Sequence, residues 1–384
     1  IMKYFLYIKI VILFSFFSIS YSQTIDYSKP DTIQKNEINS SIIHYRYVYN
    51  SIPWNINIIE INSTDKNYSI LSVKSSNKIH NSREKVSDIV KRNRNKNITI
   101  GINADFFYPD GDIVNNQISE GEFVKGIKSN RSQIAFTFSN EPFINIFSFS
   151  GKLILKDNKE ISIDALNQKR GFDSIVIYNK YWGNSTNTGG SGIEYVFIPI
   201  DSTIANKPFR AVIKSILDSN ATITNNQYVL SASDNKKNTT LSSLQINDTI
   251  LISLNIQPDI NNVKELVGGL PQIIKDGINI AHLQALKEGA NEKFSLTRHP
   301  RTAIGYSRDK AKLYLITVDG RQKCSAGMTL NELSEFMLFL GCYNALNLDG
   351  GGSTTLVIND KIINYPSDLT GERPVGNALL IISN

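Results

Sequence analysis

Short runs of apolar residues recur along the chain from about residue 42 onwards. They are rich in Ile, Val, Phe and Tyr, and polar segments containing Asn, Asp, Gly and Ser separate them, a pattern typical of β-strands joined by turns. Many strands with few helices between them predict an α+β fold, in which mixed or antiparallel β-sheets carry a few packed helices. The clearest predicted strands are Trp54–Ile61, Tyr68–Val73, Ile98–Ile102, Ile134–Phe138, Tyr195–Ile200, Ile250–Ile256, Leu313–Val318 and Ala378–Ile382.

One helix is strongly indicated near residue 330. Thr329 and Glu332 have the spacing of a capping box, in which each side chain accepts a hydrogen bond from the other residue's backbone amide. Apolar residues then recur every three or four positions up to Leu340, and Gly341 is suited to end a helix. We expect this helix to be structural.

The first 22 residues have the features of a secretory signal peptide. Lys3 and Lys9 precede the apolar stretch Ile10–Ile19, and small residues follow at Ser20 and Ser22. Cleavage after Ser22 predicts a mature protein with no stable membrane span, secreted or held in the periplasm or cell envelope. The alternative is an uncleaved membrane anchor, for which the apolar run is barely long enough.

The rest of the chain divides into three predicted parts. Residues 23–41 are polar and lack periodicity, which predicts a flexible segment. Residues 42–384 are expected to form the folded domain. Within it, residues 150–260 carry fewer motifs and are a candidate insertion or subdomain.

Composition and charge exclude several classes of protein. The 384 residues are 41% hydrophobic, enough to bury a sizeable core. The 41 Lys and Arg residues against 35 Asp and Glu give a net charge of +6, but they are scattered, so no nucleic-acid partner is predicted. Two cysteines exclude a disulfide-built scaffold and a Cys-rich metal site.

Polar residues that suit chemistry concentrate in four segments. Asn103 and Asp105 follow an apolar strand and lie on one side if that strand continues, although an ordinary strand end is equally consistent. Arg301 and Thr302 lie in His299-Pro300-Arg301-Thr302, where Arg offers a planar fork for phosphate or carboxylate oxygens.

The third segment follows the predicted strand Leu313–Val318. Asp319 emerges at its end and Arg321 comes two residues later, with a simple turn as the alternative.

The fourth segment, residues 345–355, is the strongest candidate. Asn347 and Asp349 share one face of a strand, and three glycines then allow the backbone to approach a ligand closely. Exposed amides and hydroxyls in such a turn can form an anion nest. The residues concerned are Gly350, Gly351, Gly352, Ser353 and Thr354.

Taken in order, these segments resemble the phosphodiester glycosidase family. The resemblance runs from about residue 42 to the C-terminus, and its secreted bacterial members fit best because the Cys-rich extension of the animal enzyme is missing. The motifs that carry it are NADFF at Asn103–Phe107, HPRTAIG at His299–Gly305, VDGR at Val318–Arg321, SAGMTLNEL at Ser325–Leu333, ALNLDGGGST at Ala345–Thr354 and ERPVGNALL at Glu372–Leu380.

The resemblance implies hydrolysis of a sugar-1-phosphodiester at its glycosidic bond, giving a free sugar and a phosphomonoester. Because phosphate is already a good leaving group, cationic positioning should matter more than a strong general acid. We therefore expect Arg301 to hold the phosphate, with help from Arg321 and the glycine turn. Asp349 is the candidate nucleophile or base.

Other carboxylates complete the expected catalytic set. Asp105 and Asp319 are expected to support Asp349, and Glu372 is an alternative acid or base. Asn103, Thr302 and Asn347 join the expected substrate-binding residues. The separation of two catalytic carboxylates decides between a retaining and an inverting reaction, and both stay open.

No cofactor and no metal are predicted, because the acidic residues form neither a calcium loop nor a His-based zinc motif. Two other functions remain open. One is a non-catalytic glycan-binding or envelope polysaccharide assembly protein. The other is a metal-dependent phosphodiesterase that breaks the P–O bond.

Overall fold

A computed structural model describes residues 25–190, 192–234 and 241–383. The predicted signal peptide, residues 1–22, lies outside the described residues. Among those described, no helix has both the length and the apolar character required to cross a membrane.

Twenty-six strands lie in the described residues. In chain order they are β1 Thr32–Asn39, β2 Ile42–Tyr49, β3 Trp54–Asn62, β4 Tyr68–Lys74, β5 Ile98–Asn103, β6 Gln117–Ser119, β7 Glu122–Lys125, β8 Ser132–Thr137, β9 Pro142–Ile146, β10 Ser148–Ile154, β11 Glu160–Ile163, β12 Ala165–Leu166, β13 Ile175–Tyr178, β14 Ile193–Pro199, β15 Phe209–Leu217, β16 Tyr228–Ala232, β17 Thr249–Gln257, β18 Val263–Gly268, β19 Gln272–Lys275, β20 Ile278–Asn279, β21 Arg301–Tyr306, β22 Lys312–Val318, β23 Asn344–Asn347, β24 Leu356–Ile358, β25 Lys361–Ile362 and β26 Asn377–Ser383.

Helices are few and short. The α-helices of the described residues are α1 Val86–Arg92, α2 Ala281–Lys287, α3 Glu292–Leu296 and α4 Leu330–Phe339, and short 3-10 turns occupy Ser75–Asn77, Arg94–Lys96 and Gly351–Ser353. The predicted helix is confirmed as α4, and both hydrogen bonds of the Thr329–Glu332 capping box are present.

The strands form four sheets. Sheet I has the order β1-β2-β3-β22-β21-β23-β19-β20, and sheet II has the order β25-β24-β5-β26-β4. Sheet III has the order β7-β6-β18-β8-β9, and sheet IV has the order β11-β10-β17-β15-β14-β16-β13-β12. Neighbouring strands of the described residues are antiparallel except β12 and β13, which are parallel. The prediction of antiparallel sheets with few helices is confirmed, although the fold is more sheet-dominated than a balanced α+β protein.

Sheets I, II and III share one apolar core. Ile304 of β21 and Leu346 of β23 pack there with Ile102 of β5 and Ile134 of β8, and all four side chains are fully buried. Helices α2 and α4 cover the other face of sheet I, and α1 covers the outer face of sheet II. This shared core fixes the end of β5 against the ends of β21 and β23.

Sheet IV is formed by residues 148–257 and so begins two residues before the segment 150–260 that was predicted to be an insertion or subdomain. Its inner face packs on sheet III, where Phe149 and Phe197 meet Ile118 and Phe123. Whether the segment is a separate domain stays a prediction.

The N-terminal segment differs from the expectation of a flexible lead. Thr32–Asn39 forms β1, which pairs antiparallel with β2 at the edge of sheet I. Most of its side chains are exposed, so the strand carries no apolar alternation that a sequence pattern can show.

Candidate active site

The predicted motifs meet at one edge of sheet I. Antiparallel pairing aligns Arg301, at the start of β21, with Val318 at the end of β22, and aligns Ala303 with Asn347 at the end of β23. The polar segments after β22 and β23 therefore emerge beside the loop before β21. Strand β5 brings Asn103 to the same place, because its neighbour Ile102 pairs with Leu356 just after the glycine turn.

Asn103 fastens β5 to the glycine turn. Its Oδ1 accepts hydrogen bonds from Thr302 Oγ1 at 2.8 Å and from the Thr355 amide at 3.1 Å. Its Nδ2 donates to the carbonyl oxygen of Asp349 at 2.6 Å. Asn103 and Thr302 are completely buried. The Asn103 side chain holds the backbone of Asp349, and the Thr302 hydroxyl supports Asn103, while the expected contact of both residues with substrate stays a prediction.

Asp349 lies at the start of the turn, and part of its surface is exposed to solvent. Its amide donates to Ala104 O at 2.8 Å, and its Oδ1 accepts from the Gly350 amide at 2.9 Å. Burial raises the pKa of Asp349 to about 6, while the nearby Ser353 hydroxyl, the Gly350 amide and the Arg373 charge act in the opposite direction. At neutral pH the carboxylate is ionised yet more basic than an ordinary aspartate, which suits a nucleophile or base.

Most backbone amides of the glycine turn donate within the protein. The amide of Gly351 donates to Pro300 O at 2.9 Å, that of Ser353 to Gly350 O at 3.2 Å and that of Thr354 to Gly351 O at 3.3 Å. The Gly350 amide donates to Asp349 Oδ1. These four amides do not favour the predicted anion nest, which stays a prediction, and the glycines also serve another purpose.

The glycines allow two guanidinium groups to approach the backbone of the turn closely. A Cβ atom on Gly351 would lie 3.0 Å from Arg321 Nη2, and one on Gly352 would overlap the Arg373 guanidinium. Gly351 also has a φ of +63°, which disfavours any side chain. The turn is thus a surface on which two arginines rest next to Asp349.

Arg321 is the exposed member of this pair. Its Nη2 lies 3.4 Å from His299 Nδ1, and no carboxylate of the described residues forms an ion pair with it. Burial, together with the charges of Arg301, Arg321 and Lys293, lowers the pKa of His299. A neutral imidazole and a free guanidinium therefore lie at the rim of the turn, open to an anionic ligand.

Arg301 does not fit the predicted phosphate clamp. It is 2% exposed, and its Nε donates to Met328 O at 2.8 Å. Its Nη2 donates to Phe294 O at 2.9 Å and to Thr297 O at 3.0 Å. The guanidinium donates to three backbone carbonyls around the loop before β21 and is almost completely buried, which leaves it little surface for a phosphate.

The other two predicted aspartates, Asp319 and Asp105, accept hydrogen bonds from backbone amides. Asp319 accepts from the Tyr365 amide at 3.0 Å and from Asn55 Nδ2, and burial raises its pKa to about 6. Asp105 accepts from the Asn115 amide at 2.9 Å and from Asn115 Nδ2 at 2.8 Å, and burial raises its pKa to about 7. Each is 1% exposed, so each is placed to position a loop rather than to touch a substrate.

Asn347 is tied to the neighbouring loop. Its Nδ2 donates to Leu270 O at 2.6 Å, while its Oδ1 is buried with no hydrogen-bond partner among the described residues. It is 1% exposed, and its predicted contact with substrate stays a prediction. Across the described residues, no three His, Cys, Asp or Glu side chains are grouped as metal ligands.

Comparison with known proteins finds similarity to one family. A family model described as phosphodiester glycosidase matches residues 202–382, which include Arg301, Arg321, Asp349 and the glycine turn. This part of the chain is similar to the phosphodiester glycosidase family. Asn103 and Asp105 lie before the matched residues, so the fold supplies this part of the site from outside them.

The curated relatives are N-acetylglucosamine-1-phosphodiester alpha-N-acetylglucosaminidases. The Bos taurus protein is 37% identical over 115 residues, and the Homo sapiens protein is 39% identical over 115 residues. Each alignment covers 28% of this chain and 21% or 22% of the relative, so the chain matches about a fifth of their length. A crystal structure of a hypothetical protein from Synechocystis shares the fold, with a TM-score of 0.73, 20% identity, and coverage of 92% of this chain and 64% of the other.

Glu372 lies away from the glycine turn's own hydrogen bonds, at the start of α1. Its Oε1 accepts from the Ser87 amide at 2.9 Å and its Oε2 accepts from Ser87 Oγ at 2.6 Å, in the first turn of α1. A buried carboxylate at this position satisfies donors that the helix start leaves free. These contacts favour a structural role, and the expected role of Glu372 as an acid or base stays a prediction.

Arg373 is the site residue that sequence reasoning missed. Its guanidinium lies over Gly352 and favours the ionised form of Asp349. Arg373 follows Glu372 directly in the ERPVG segment, so the sequence does place a cation beside a candidate carboxylate. Residue type alone does not show that this cation lies over the glycine turn. Phe106 and Phe294 were also missed, and their rings meet edge to face at 6.1 Å between centroids.

Proposed function

We propose that this protein hydrolyses a sugar-1-phosphodiester at its glycosidic C–O bond and releases a free sugar and a phosphomonoester. The observation that carries the proposal is the proximity of Asp349, whose pKa burial raises to about 6, to the Arg321 guanidinium, which no carboxylate of the described residues pairs with, on the same glycine turn. Similarity to the phosphodiester glycosidase family and the activity stated in the names of the mammalian relatives support the same reaction class.

Arg321 is proposed to take the phosphate in place of Arg301. A guanidinium presents paired N–H donors that match phosphate oxygens, and Arg321 has no carboxylate of its own to displace. As the C–O bond breaks, its electron pair goes to the phosphate oxygen, which becomes a stable anion. A cation at that oxygen therefore favours the transition state more than a proton donor does.

Asp349 is proposed to act at the anomeric carbon. In one route its carboxylate attacks that carbon, and water later releases the sugar from the ester. In the other route it removes a proton from a water molecule that attacks directly. In both routes the water oxygen ends on the sugar, and the phosphate keeps all its own oxygens.

The proposed substrates are extracellular or envelope glycans that carry sugar-1-phosphate links. N-acetylglucosamine is the first sugar to test, because the names of the relatives specify it. The predicted signal peptide supports a secreted or cell-envelope location, and the substrate class agrees with that location.

Hydrolysis in ¹⁸O-water tests the proposal. Purified protein is incubated with UDP-N-acetylglucosamine and other sugar-1-phosphodiesters, and mass spectrometry shows which product contains ¹⁸O. The Asp349→Asn variant is the control for contaminating activity. Label in the sugar supports the glycosidase. Label in the phosphate identifies a phosphodiesterase, and glycan binding without turnover identifies a binding protein.

A further inference from the structure

Arg373 is held by a carboxylate at the surface of the site. Its Nε donates to Asp368 Oδ2 at 2.7 Å and its Nη2 donates to Asp368 Oδ1 at 2.9 Å. This is the two-pronged geometry with which arginine also binds a phosphate. The occupied edge of Arg373 is therefore the edge that a phosphate would use.

The ion pair lies directly on the glycine turn. A Cβ atom on Gly352 would overlap both the Arg373 guanidinium and Asp368 Oδ1, so the carboxylate and the guanidinium both touch this backbone. On the adjacent residue, Gly351, the neighbour is the Arg321 guanidinium. Consecutive Cα atoms are about 3.8 Å apart, so the two arginines rest on neighbouring points of one short turn. The Asp368 carboxylate already lies at this turn, where it binds Arg373.

Asp368 is easily moved. The side chains of Arg373 and Asp368 are 39% and 24% exposed, so water reaches the pair. Asp368 begins a turn in which the Gly371 amide donates to Asp368 O at 2.9 Å, and Leu369 within that turn is completely exposed. The exposure of the pair and of the turn that carries Asp368 allows this carboxylate to leave the guanidinium for water.

We propose that Asp368 occupies the phosphate position of the resting enzyme, and that the substrate phosphate replaces it on Arg373. Arg321 and Arg373 then bind the phosphate together, from two points of the glycine turn. The inference rests on the proposed function for the class of ligand, a phosphate ester, and adds a second phosphate-binding residue and an internal competitor. The released Asp368 carboxylate is left to water, which its exposure permits.

Binding of inorganic phosphate, measured by calorimetry, tests the inference without any turnover. In Asp368→Asn the competitor is lost, and phosphate should bind roughly two- to fivefold more tightly, the range that a partly exposed ion pair supplies. Asp368→Glu keeps the carboxylate and should bind phosphate like the wild type. In the Asp368→Asn background, Arg373→Gln should abolish the gain.

Asp201→Asn is the matched control. Asp201 holds Arg210 through the same two-pronged geometry, with oxygen–nitrogen distances of 3.0 and 2.9 Å, but Arg210 belongs to sheet IV. The substitution adds the same charge to the protein away from the turn. It should leave phosphate affinity unchanged.

Three outcomes overturn the inference: unchanged or weaker phosphate binding in Asp368→Asn, an equal gain in Asp201→Asn, or a gain that survives Arg373→Gln. The result is independent of catalysis. If no sugar phosphodiester is hydrolysed but the phosphate affinities follow this pattern, the proposed function fails and the phosphate site stands. If hydrolysis is observed and the affinities do not change, only the role of Asp368 fails.

Discussion

Replacing Arg301 with lysine separates a structural guanidinium from a ligand-binding one. Arg301 donates to the carbonyl oxygens of Met328, Phe294 and Thr297, and it is almost completely buried. Lysine keeps the charge but has a single nitrogen at the end of its chain, so it cannot reach both sides of this loop. We expect Arg301→Lys to lower the free energy of unfolding while the turn keeps its ligand-binding groups.

The size of the loss follows from the carbonyls left behind. The His299 amide also donates to Met328 O at 3.2 Å, so that carbonyl keeps a partner. The carbonyls of Phe294 and Thr297 share one guanidinium nitrogen and lose it together. Because these two hydrogen bonds are part-buried, each loss is expected to cost about 1–2 kcal/mol, the lower part of the range for an unsatisfied buried acceptor, which gives a destabilisation of about 2–4 kcal/mol.

Urea unfolding followed by tryptophan fluorescence measures this change. Trp54 is a suitable reporter, since its indole donates to Gly327 O beside the same loop. Arg321→Lys is the matched control, because that exposed side chain should change stability by less than about 0.5 kcal/mol. Wild-type stability in Arg301→Lys, combined with weakened phosphate binding, would refute the structural role and restore the predicted clamp.

The remaining predictions concern the turn and its supports. Arg321→Lys should weaken competitive inhibition by inorganic phosphate, because the paired donors are lost, and equal inhibition constants would move the clamp to Arg373. Asp349→Asn should abolish turnover and unfold at pH 7 no more easily than the wild type. Its folded pKa of about 6 exceeds the ordinary aspartate value of 3.8, so ionisation of Asp349 destabilises the fold as pH rises through that interval. Wild-type kcat should fall as pH drops below about 6, and a flat pH profile there would exclude Asp349 as the ionised base. Glu372→Ala should cost about 1–2 kcal/mol of stability by uncapping Ser87, with little change in kcat in the protein that remains folded.

Much of the fold is predictable from the sequence because burial and chain periodicity agree. The strand predicted at Trp54–Ile61 is observed at Trp54–Asn62, and that predicted at Leu313–Val318 is observed at Lys312–Val318. The edge strand Thr32–Asn39 escapes prediction because it is stabilised by backbone hydrogen bonds to β2 and not by buried side chains. Sequence patterns report burial, and an exposed edge strand has little of it.

The site is predictable in location but not in the division of roles. The order of strands brings the segments at Asn103, Arg301, Arg321 and Asp349 together, as expected of polar residues at strand ends. Residue type alone does not show which donors and acceptors are already used within the protein. The guanidinium groups of Arg301 and Arg321 are chemically identical, and only their neighbours make one structural and the other free.

The three consecutive glycines have a common physical reason. A Cβ atom would lie 2.7 Å from Pro300 O at Gly350, would press on Arg321 at Gly351, and would overlap Arg373 and Asp368 at Gly352. The absence of a side chain therefore allows a different neighbour to approach each glycine. Gly350 is approached by the loop before β21, Gly351 by the Arg321 guanidinium, and Gly352 by the ion pair of Arg373 and Asp368. The amides of Gly350, Gly351, Ser353 and Thr354 already donate within the protein, which leaves fewer donors for a nest built from backbone amides. The motif thus specifies a surface that brings two guanidinium groups against the backbone beside Asp349, and the positive charge of this surface comes from side chains that lie outside the glycine motif itself.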